Sequence, residues 1–131
     1  MFKAPKTSPW GEVQTCDIIM PGVFLVSTAG HGGAMVAKDI TAILSPAARK
    51  CGFREGGYLC FEEDTQEAVV LRELMDKGHW SPTHTTDREG FEARLNESLQ
   101  RDNPEYWRMR QMGRARLSAH PTPQAQLAEA R

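Results

Sequence analysis

The sequence is short of cysteine, of long apolar runs and of net charge, and each shortage excludes a class of protein. Three cysteines among 131 residues cannot build a disulfide framework, and their odd number is typical of a reducing compartment. The longest unbroken apolar runs have four residues, for example Val23–Val26, whereas a membrane helix needs about 20. The 16 basic residues are balanced by 17 acidic ones, which excludes a wholly basic protein that coats nucleic acid.

Composition and the start of the chain indicate a soluble globular protein. The hydrophobic fraction is 40% and the charged fraction 25%, which are ordinary values for one folded domain. Polar and proline residues interrupt the beginning of the chain, so it lacks the apolar core of a signal peptide. We therefore expect a cytoplasmic protein that makes no contact with a membrane.

Strand signals dominate the first half of the chain. β-branched and aromatic residues favour a pleated, half-buried surface, and Pro21-Gly22 is a turn signal between two such runs. The predicted strands are 13–19, 23–28, 34–37 and 58–61. Because a short turn joins the first two, we expect them to form an antiparallel hairpin.

Helix signals dominate the second half. Ser45-Pro46 is an N-cap followed by a first-turn proline, and Asp64 with Glu67 has the spacing of a capping box. The predicted helices are a short one from residue 39 and others at 46–52, 64–78, 88–101 and 104–117. Together these elements predict an α+β protein with a small antiparallel sheet, helices packed on one face, and a helical C-terminal third.

The same signals divide the chain into four segments. They are a flexible lead (1–9), an α+β domain (10–85), a helical extension packed on that domain (86–117) and a frayed tail (118–131). The lead and the tail are polar and contain prolines, so each has little apolar surface to bury.

The most distinctive motif is a histidine in a glycine-rich loop. Gly30, Gly32 and Gly33 surround His31 at the end of a predicted strand. Such a loop can present the imidazole as a general base or a metal ligand, or the glycines can simply form a turn that the histidine stabilises. The Gly-Lys-Ser/Thr ending of a phosphate-binding loop is absent.

A second motif, Glu62-Glu63-Asp64, lies where a predicted strand meets a helix. Three carboxylates can hold a divalent cation, or act as an acid–base pair if their environments differ. The alternative is helix capping, because acidic groups are favoured at a helix N-terminus. Catalysis would require this junction to lie close to His31.

Other chemistries have weaker signals. The possible zinc ligands form no close CxxC or HxxxH pair; they are His31, Cys51, Cys60, His79 and His84. Ser27 precedes His31 without the G-x-S-x-G motif of acyl transfer, and Cys60 lies in an apolar strand, where thiols are usually inert. We therefore expect no resident metal and no cofactor.

Charge is distributed unevenly. Residues 53–76 hold seven acids and two arginines, whereas 101–131 hold six arginines and three acids. The expected partner-binding residues are Glu62, Glu63, Glu67, Tyr106, Trp107, Arg108, Arg110 and Arg114. The aromatic and arginine residues suit a protein interface or stacking on nucleic acid, or Tyr106 and Trp107 can belong to the core.

Three short blocks carry a resemblance to a known family. They are Trp10–Gln14, Val26–Gly33 and Tyr58–Asp64. Their order resembles W-G-x-V-Q, V-S-T-x-x-H-G-G and Y-x-E-E-D in an uncharacterised small domain of phages, plasmids and integrative elements. Here Leu59-Cys60-Phe61 separates the tyrosine from the acids, which is a departure from the pattern. The resemblance implies a mobile-element setting, and it assigns no residue a catalytic role, because the family has no established activity.

These observations support three hypotheses. The first is a non-enzymatic inhibitor, of anti-CRISPR or antirestriction type, that binds a host protein or ribonucleoprotein defence complex in the bacterial cytoplasm. The second is a small metal-dependent or acid–base hydrolase of nucleotides or nucleic acid, in which His31, Glu62, Glu63 and Asp64 are catalytic. The third is a nucleic-acid-binding regulator that uses the arginines of 104–117.

Overall fold

The computed structural model describes residues 2–119, with side chains up to Leu117. Within them the chain forms seven β-strands, one 3₁₀ helix and four α-helices. In chain order these are β1 (Thr7–Ser8), β2 (Gly11–Glu12), β3 (Thr15–Met20), β4 (Val23–Ser27), β5 (Gly32–Ala37), the 3₁₀ helix (Lys38–Ile43), α1 (Pro46–Cys51), β6 (Phe53–Glu55), β7 (Tyr58–Glu62), α2 (Glu67–Asp76), α3 (Arg88–Asp102) and α4 (Pro104–Ala119).

The main sheet has five strands in the order β3-β4-β5-β7-β6, and every neighbouring pair is antiparallel. Strands β1 and β2 form a separate two-stranded ribbon. The predicted α+β class and the helical C-terminal part are therefore confirmed. The short β6, which the sequence did not predict, forms one edge of the sheet beside β7.

The two faces of the sheet bury different residues because side chains alternate along each strand. One face packs against the helices and forms the larger core; it includes Val23, Ala34, Val36, Leu59 and Phe61 with Val70, Leu74 and Leu99. The opposite face presents Phe24, Val26, Met35 and Cys60 to Phe2, Trp10 and Val13 near the N-terminus. We call these the helix face and the ribbon face.

The start of the chain differs from the expected flexible lead. Thr7–Ser8 pairs with Gly11–Glu12, and Phe2 packs on the ribbon face. The physical reason is that the apolar ribbon face needs a cover, and the α-helices of the described residues pack on the other face. The tail expected at 118–131 lies almost entirely outside the described residues, which end within α4.

Helix α2 begins later than predicted. Asp64 is not its N-cap; the helix starts at Glu67, and Gln66 precedes it without a side-chain capping bond. A turn follows β7 instead, in which the Gln66 N–H donates to Glu62 O at 2.8 Å. The predicted Ser45 cap is confirmed, because its hydroxyl accepts a hydrogen bond from the Ala48 N–H at 3.1 Å.

A partly buried ionic network joins α2 to α3 and α4. The guanidinium of Arg72 on α2 contacts Glu92 at 2.8 Å and Asn96 at 3.0 Å on α3. Asp76 accepts from Arg72 at 3.1 Å and from Arg110 on α4 at 2.8 Å. Among the described helices, none is both long and apolar enough to cross a lipid bilayer.

Candidate metal centre

The pairing of β5 with β7 brings the two sequence motifs to the same end of the sheet. Gly33 is the cross-strand partner of Glu62, and the Glu63 N–H donates to Gly32 O at 3.0 Å one step further. Continuing this antiparallel register by one residue places His31 opposite Asp64. The two motifs are far apart in sequence. They meet because His31 directly precedes β5, the acidic motif lies at the end of β7, and the two strands pair antiparallel.

Alternation along the strands decides which acids join the histidine. Glu62 lies two residues beyond Cys60 on β7 and therefore shares its ribbon face, and Asp64 follows in the turn after this strand. One ligand atom from each of His31, Glu62 and Asp64 lies within 4.8 Å of the others. His31 and Asp64 are exposed and Glu62 is half-buried. We call this set the His31 cluster. It satisfies the requirement, stated above for catalysis, that the acidic junction lies close to His31.

The backbone on both sides of the His31 cluster is held in place. The His31 N–H donates to Thr28 Oγ1 at 3.2 Å, and His31 O accepts the Thr28 N–H at 2.8 Å. On the other side, Gln66 Oε1 accepts the Glu62 N–H at 3.2 Å. The loop and the strand end are thus fixed, while the imidazole and the carboxylates remain open to solvent.

Two of the three glycines in the histidine motif are required by close packing at this end of the sheet. A Cβ atom on Gly33 would overlap the carbonyl oxygen of Phe61 and approach Trp10 Cη2 to 2.5 Å. A Cβ on Gly32 would overlap Val26 O, but one on Gly30 would meet nothing within 4 Å. Gly32 and Gly33 therefore permit close strand packing, and the Trp10 indole lies directly over Gly33.

Glu63 points away from the His31 cluster, although the sequence grouped it with Glu62 and Asp64. It lines a pocket of about 240 Å³ on the helix face together with Glu67, Ala68, Leu71, Phe91, Arg94 and Leu95. Burial, followed by the charges of Glu63 and Asp64, raises the pKa of Glu67 to about 7. Glu67, which we expected in a partner-binding set, is half-buried beside this pocket.

The remaining sequence candidates do not assemble. In the described part of the chain, the His31 cluster is the one set of three potential ligands with this spacing, and it includes neither cysteines nor His79 or His84. Burial raises the pKa of the Cys60 thiol to about 11, which opposes thiolate formation. The Ser27 hydroxyl is hydrogen-bonded to that of Thr15.

The arginines of α4 are partly neutralised within the molecule. Arg110 makes two hydrogen bonds to Asp76, at 2.8 and 2.9 Å, and stacks on Trp107. Arg108 pairs with Glu105 at 2.5 Å. Tyr106, which we expected in a partner-binding set, is a core residue with 2% of its surface exposed. It packs in the hydrophobic cluster on the helix face.

Comparison with known proteins gives one family. No curated protein matches the chain, and no solved structure matches it. The family model described as "Domain of unknown function (DUF7007)" matches residues 3–130. The match extends beyond 10–75, where the sequence resemblance lay, and takes in α3 and the described part of α4. The chain belongs to this family of unknown function.

Proposed function

We propose that the protein is a metal-dependent hydrolase of phosphate esters, in which His31, Glu62 and Asp64 hold a divalent cation. The observation that carries the proposal is the approach of one imidazole nitrogen and two carboxylate oxygens to within 4.8 Å of one another. These residues come from two separate strand ends, so helix capping does not account for their meeting.

The ligand types suit Zn²⁺ or Mn²⁺. Imidazole favours zinc and carboxylates favour harder cations such as manganese. Bonds of about 2.0–2.2 Å place neighbouring ligands roughly 3–3.5 Å apart, so small side-chain rotations would complete the site. Because His31 and Asp64 are exposed, three protein ligands leave open positions for water and substrate.

This arrangement supports hydrolysis by a bound water. A cation lowers the pKa of such a water toward neutrality, and a proton leaves to the adjacent solvent. The hydroxide oxygen forms a bond to phosphorus, the ester P–O bond breaks, and the leaving oxygen takes a proton from solvent. The cation also offsets the charge of Glu62 and Asp64, which would otherwise repel an anionic phosphate.

Metal titration of the full chain tests the proposal. We expect one Mn²⁺ or Zn²⁺ per chain by calorimetry, with at least tenfold weaker binding in His31→Ala and Asp64→Asn. Glu63→Gln is the matched control, because that neighbouring acid lies on the other face and should leave the affinity unchanged. Hydrolysis of bis-p-nitrophenyl phosphate should require the metal and His31. Absence of metal binding, or equal losses in the control, would overturn the proposal.

A second candidate is inhibition of a bacterial defence complex by binding. Exposed apolar residues on α4 favour it: Met109 and Met112 are each 39% exposed and Leu117 is 60% exposed. A pocket of about 300 Å³ between α1 and α4 adjoins Met109, and methionine is enriched at protein interfaces. The phage or plasmid setting, and with it the cytoplasm of a bacterial host, rests on the sequence blocks.

The two candidates predict opposite mutational profiles. In bacteria that carry a CRISPR or restriction system, an inhibitor should protect an incoming phage, and Met109→Ser with Met112→Ser should remove that protection while His31→Ala retains it. If the protein is a hydrolase, His31→Ala should lose activity in the phosphodiester assay, whereas Met109→Ser with Met112→Ser should retain it. The nucleic-acid regulator receives less support, because Arg108 and Arg110 are already paired with acids.

A further inference from the structure

We propose that Trp10 and Phe53 form a nucleobase subsite beside the His31 cluster, so that the substrate is a nucleotide phosphate ester. This inference rests on the proposed hydrolase function and names its substrate class. It comes from the side-chain arrangement on the ribbon face, where an aromatic pair and the candidate metal ligands are neighbours.

The aromatic pair is continuous with the His31 cluster. The Trp10 indole covers Gly33, and Gly33 is the cross-strand partner of Glu62. The Phe53 ring packs edge-to-face against Trp10, with ring centroids 6.1 Å apart and an interplanar angle of 80°. Trp10 therefore bridges the space between Phe53 and the candidate metal ligands.

Phe53 presents an open aromatic surface on the ribbon face. It pairs with Cys60 across β6 and β7, so it lies on the same side of the sheet as Cys60 and Glu62. Its side chain is on an edge strand and 39% exposed. Glu62 lies two residues beyond Cys60 along β7, a distance of roughly 7 Å, which is comparable to the reach from a base to its own phosphate.

Ligand chemistry favours a nucleobase at this place. An aromatic side chain stacks on any base with about 1–3 kcal/mol per base, and a phosphate on the same nucleoside would reach the candidate metal. A long nucleic-acid strand needs a basic groove along its backbone. Arg110 of α4 is instead bound to Asp76 of α2 on the helix side. A free nucleotide, or the end of a strand, therefore fits this surface better than the middle of a long strand.

The test compares adenosine 5′-monophosphate with ribose 5-phosphate on the Mn²⁺-loaded full chain, by calorimetry. Phe53→Ala should weaken binding of the nucleotide by roughly 5- to 150-fold, the stacking energy converted at about 1.4 kcal/mol per tenfold. Binding of ribose 5-phosphate and of Mn²⁺ should not change, and Phe53→Trp should restore nucleotide binding. Ile18→Ala is the matched control, since Ile18 is 61% exposed on the opposite edge strand of the same face.

Two further measurements distinguish a failure of the proposed hydrolase from a failure of the nucleobase subsite, and a free nucleotide from a strand end. If the wild-type chain binds no Mn²⁺, the proposed hydrolase fails, and the subsite is then judged by adenosine alone, whose binding must still be lost in Phe53→Ala. A dinucleotide tests the source: tighter binding than the mononucleotide supports a strand end, and equal binding supports a free nucleotide. Equal affinities for nucleotide and ribose 5-phosphate, or an unaffected Phe53→Ala, would refute the subsite.

Discussion

The hydroxyl of Tyr106 donates a hydrogen bond of 2.7 Å to a carboxylate oxygen of Glu73, and both residues are buried. The other oxygen of Glu73 accepts the Ser45 N–H at 2.5 Å. One carboxylate on α2 therefore links α4 to the start of α1. Burial and the charge of Glu73 raise the pKa of the Tyr106 hydroxyl, which keeps it a donor.

Tyr106→Phe should lower the free energy of unfolding by about 1–3 kcal/mol, because it leaves a buried carboxylate without one of its donors. Urea denaturation measures the change. Tyr58→Phe is the matched control, since its hydroxyl makes only an exposed 3.4 Å contact with Lys3 O. Equal destabilisation in the two variants would contradict this role of Glu73.

Gly33→Ala should lower the free energy of unfolding by about 2 kcal/mol or more, because the added methyl group overlaps Phe61 O and the Trp10 indole. The native tryptophan fluorescence spectrum should shift as well. Gly30→Ala tests the same loop without the overlap, since a Cβ there meets nothing within 4 Å. Similar unfolding midpoints for the two variants would show that the close approach is not needed.

Glu67 should make the wild-type protein less stable as pH rises from about 4.5 to about 7. The carboxyl has an ordinary value of 4.5 and a pKa of about 7 in the fold, so the native state binds more protons than the unfolded state in that window. Stability therefore falls with pH by linkage.

Glu67→Gln should remove this fall. The difference in free energy of unfolding between the variant and wild type should shift in favour of the variant by about 1–3 kcal/mol between pH 4 and pH 8. Urea midpoints at the two pH values give the comparison. Glu97→Gln serves as the control, because Glu97 is exposed on α3. Parallel pH profiles for wild type and Glu67→Gln would mean that Glu67 is ionised in the fold at neutral pH.

Arg110→Ala should lower stability by about 1–2 kcal/mol, because the Arg110 side chain is 11% exposed and holds Asp76 through two hydrogen bonds. Arg114→Ala should have no measurable effect, since Arg114 is exposed. Denaturant midpoints distinguish the two. If both variants keep wild-type stability but lose single-stranded DNA binding, the arginines belong to a nucleic-acid site after all.

Local patterns predicted most of the secondary structure because they act over few residues. Alternating apolar residues and Pro21-Gly22 predicted the β3–β4 hairpin, and Ser45-Pro46 predicted the start of α1. The predicted capping box at Asp64 was wrong. Asp64 and Glu67 have the spacing of that motif, but the helix begins only at Glu67. The β1–β2 ribbon was missed because its pairs hold only two residues on each strand, too few for a periodic signal.

The sequence by itself predicted the α+β class, most of the helices and strands, and the presence of a histidine loop and an acidic junction. It did not determine that they meet. Only the tertiary structure decided that β5 pairs with β7, which sets His31 opposite Asp64 and selects Glu62 over Glu63 by the face that each occupies. The physical reason is that pairing between strands that are not adjacent in sequence depends on burial of both sheet faces, by the helices and by the N-terminal ribbon, and no local pattern encodes that choice.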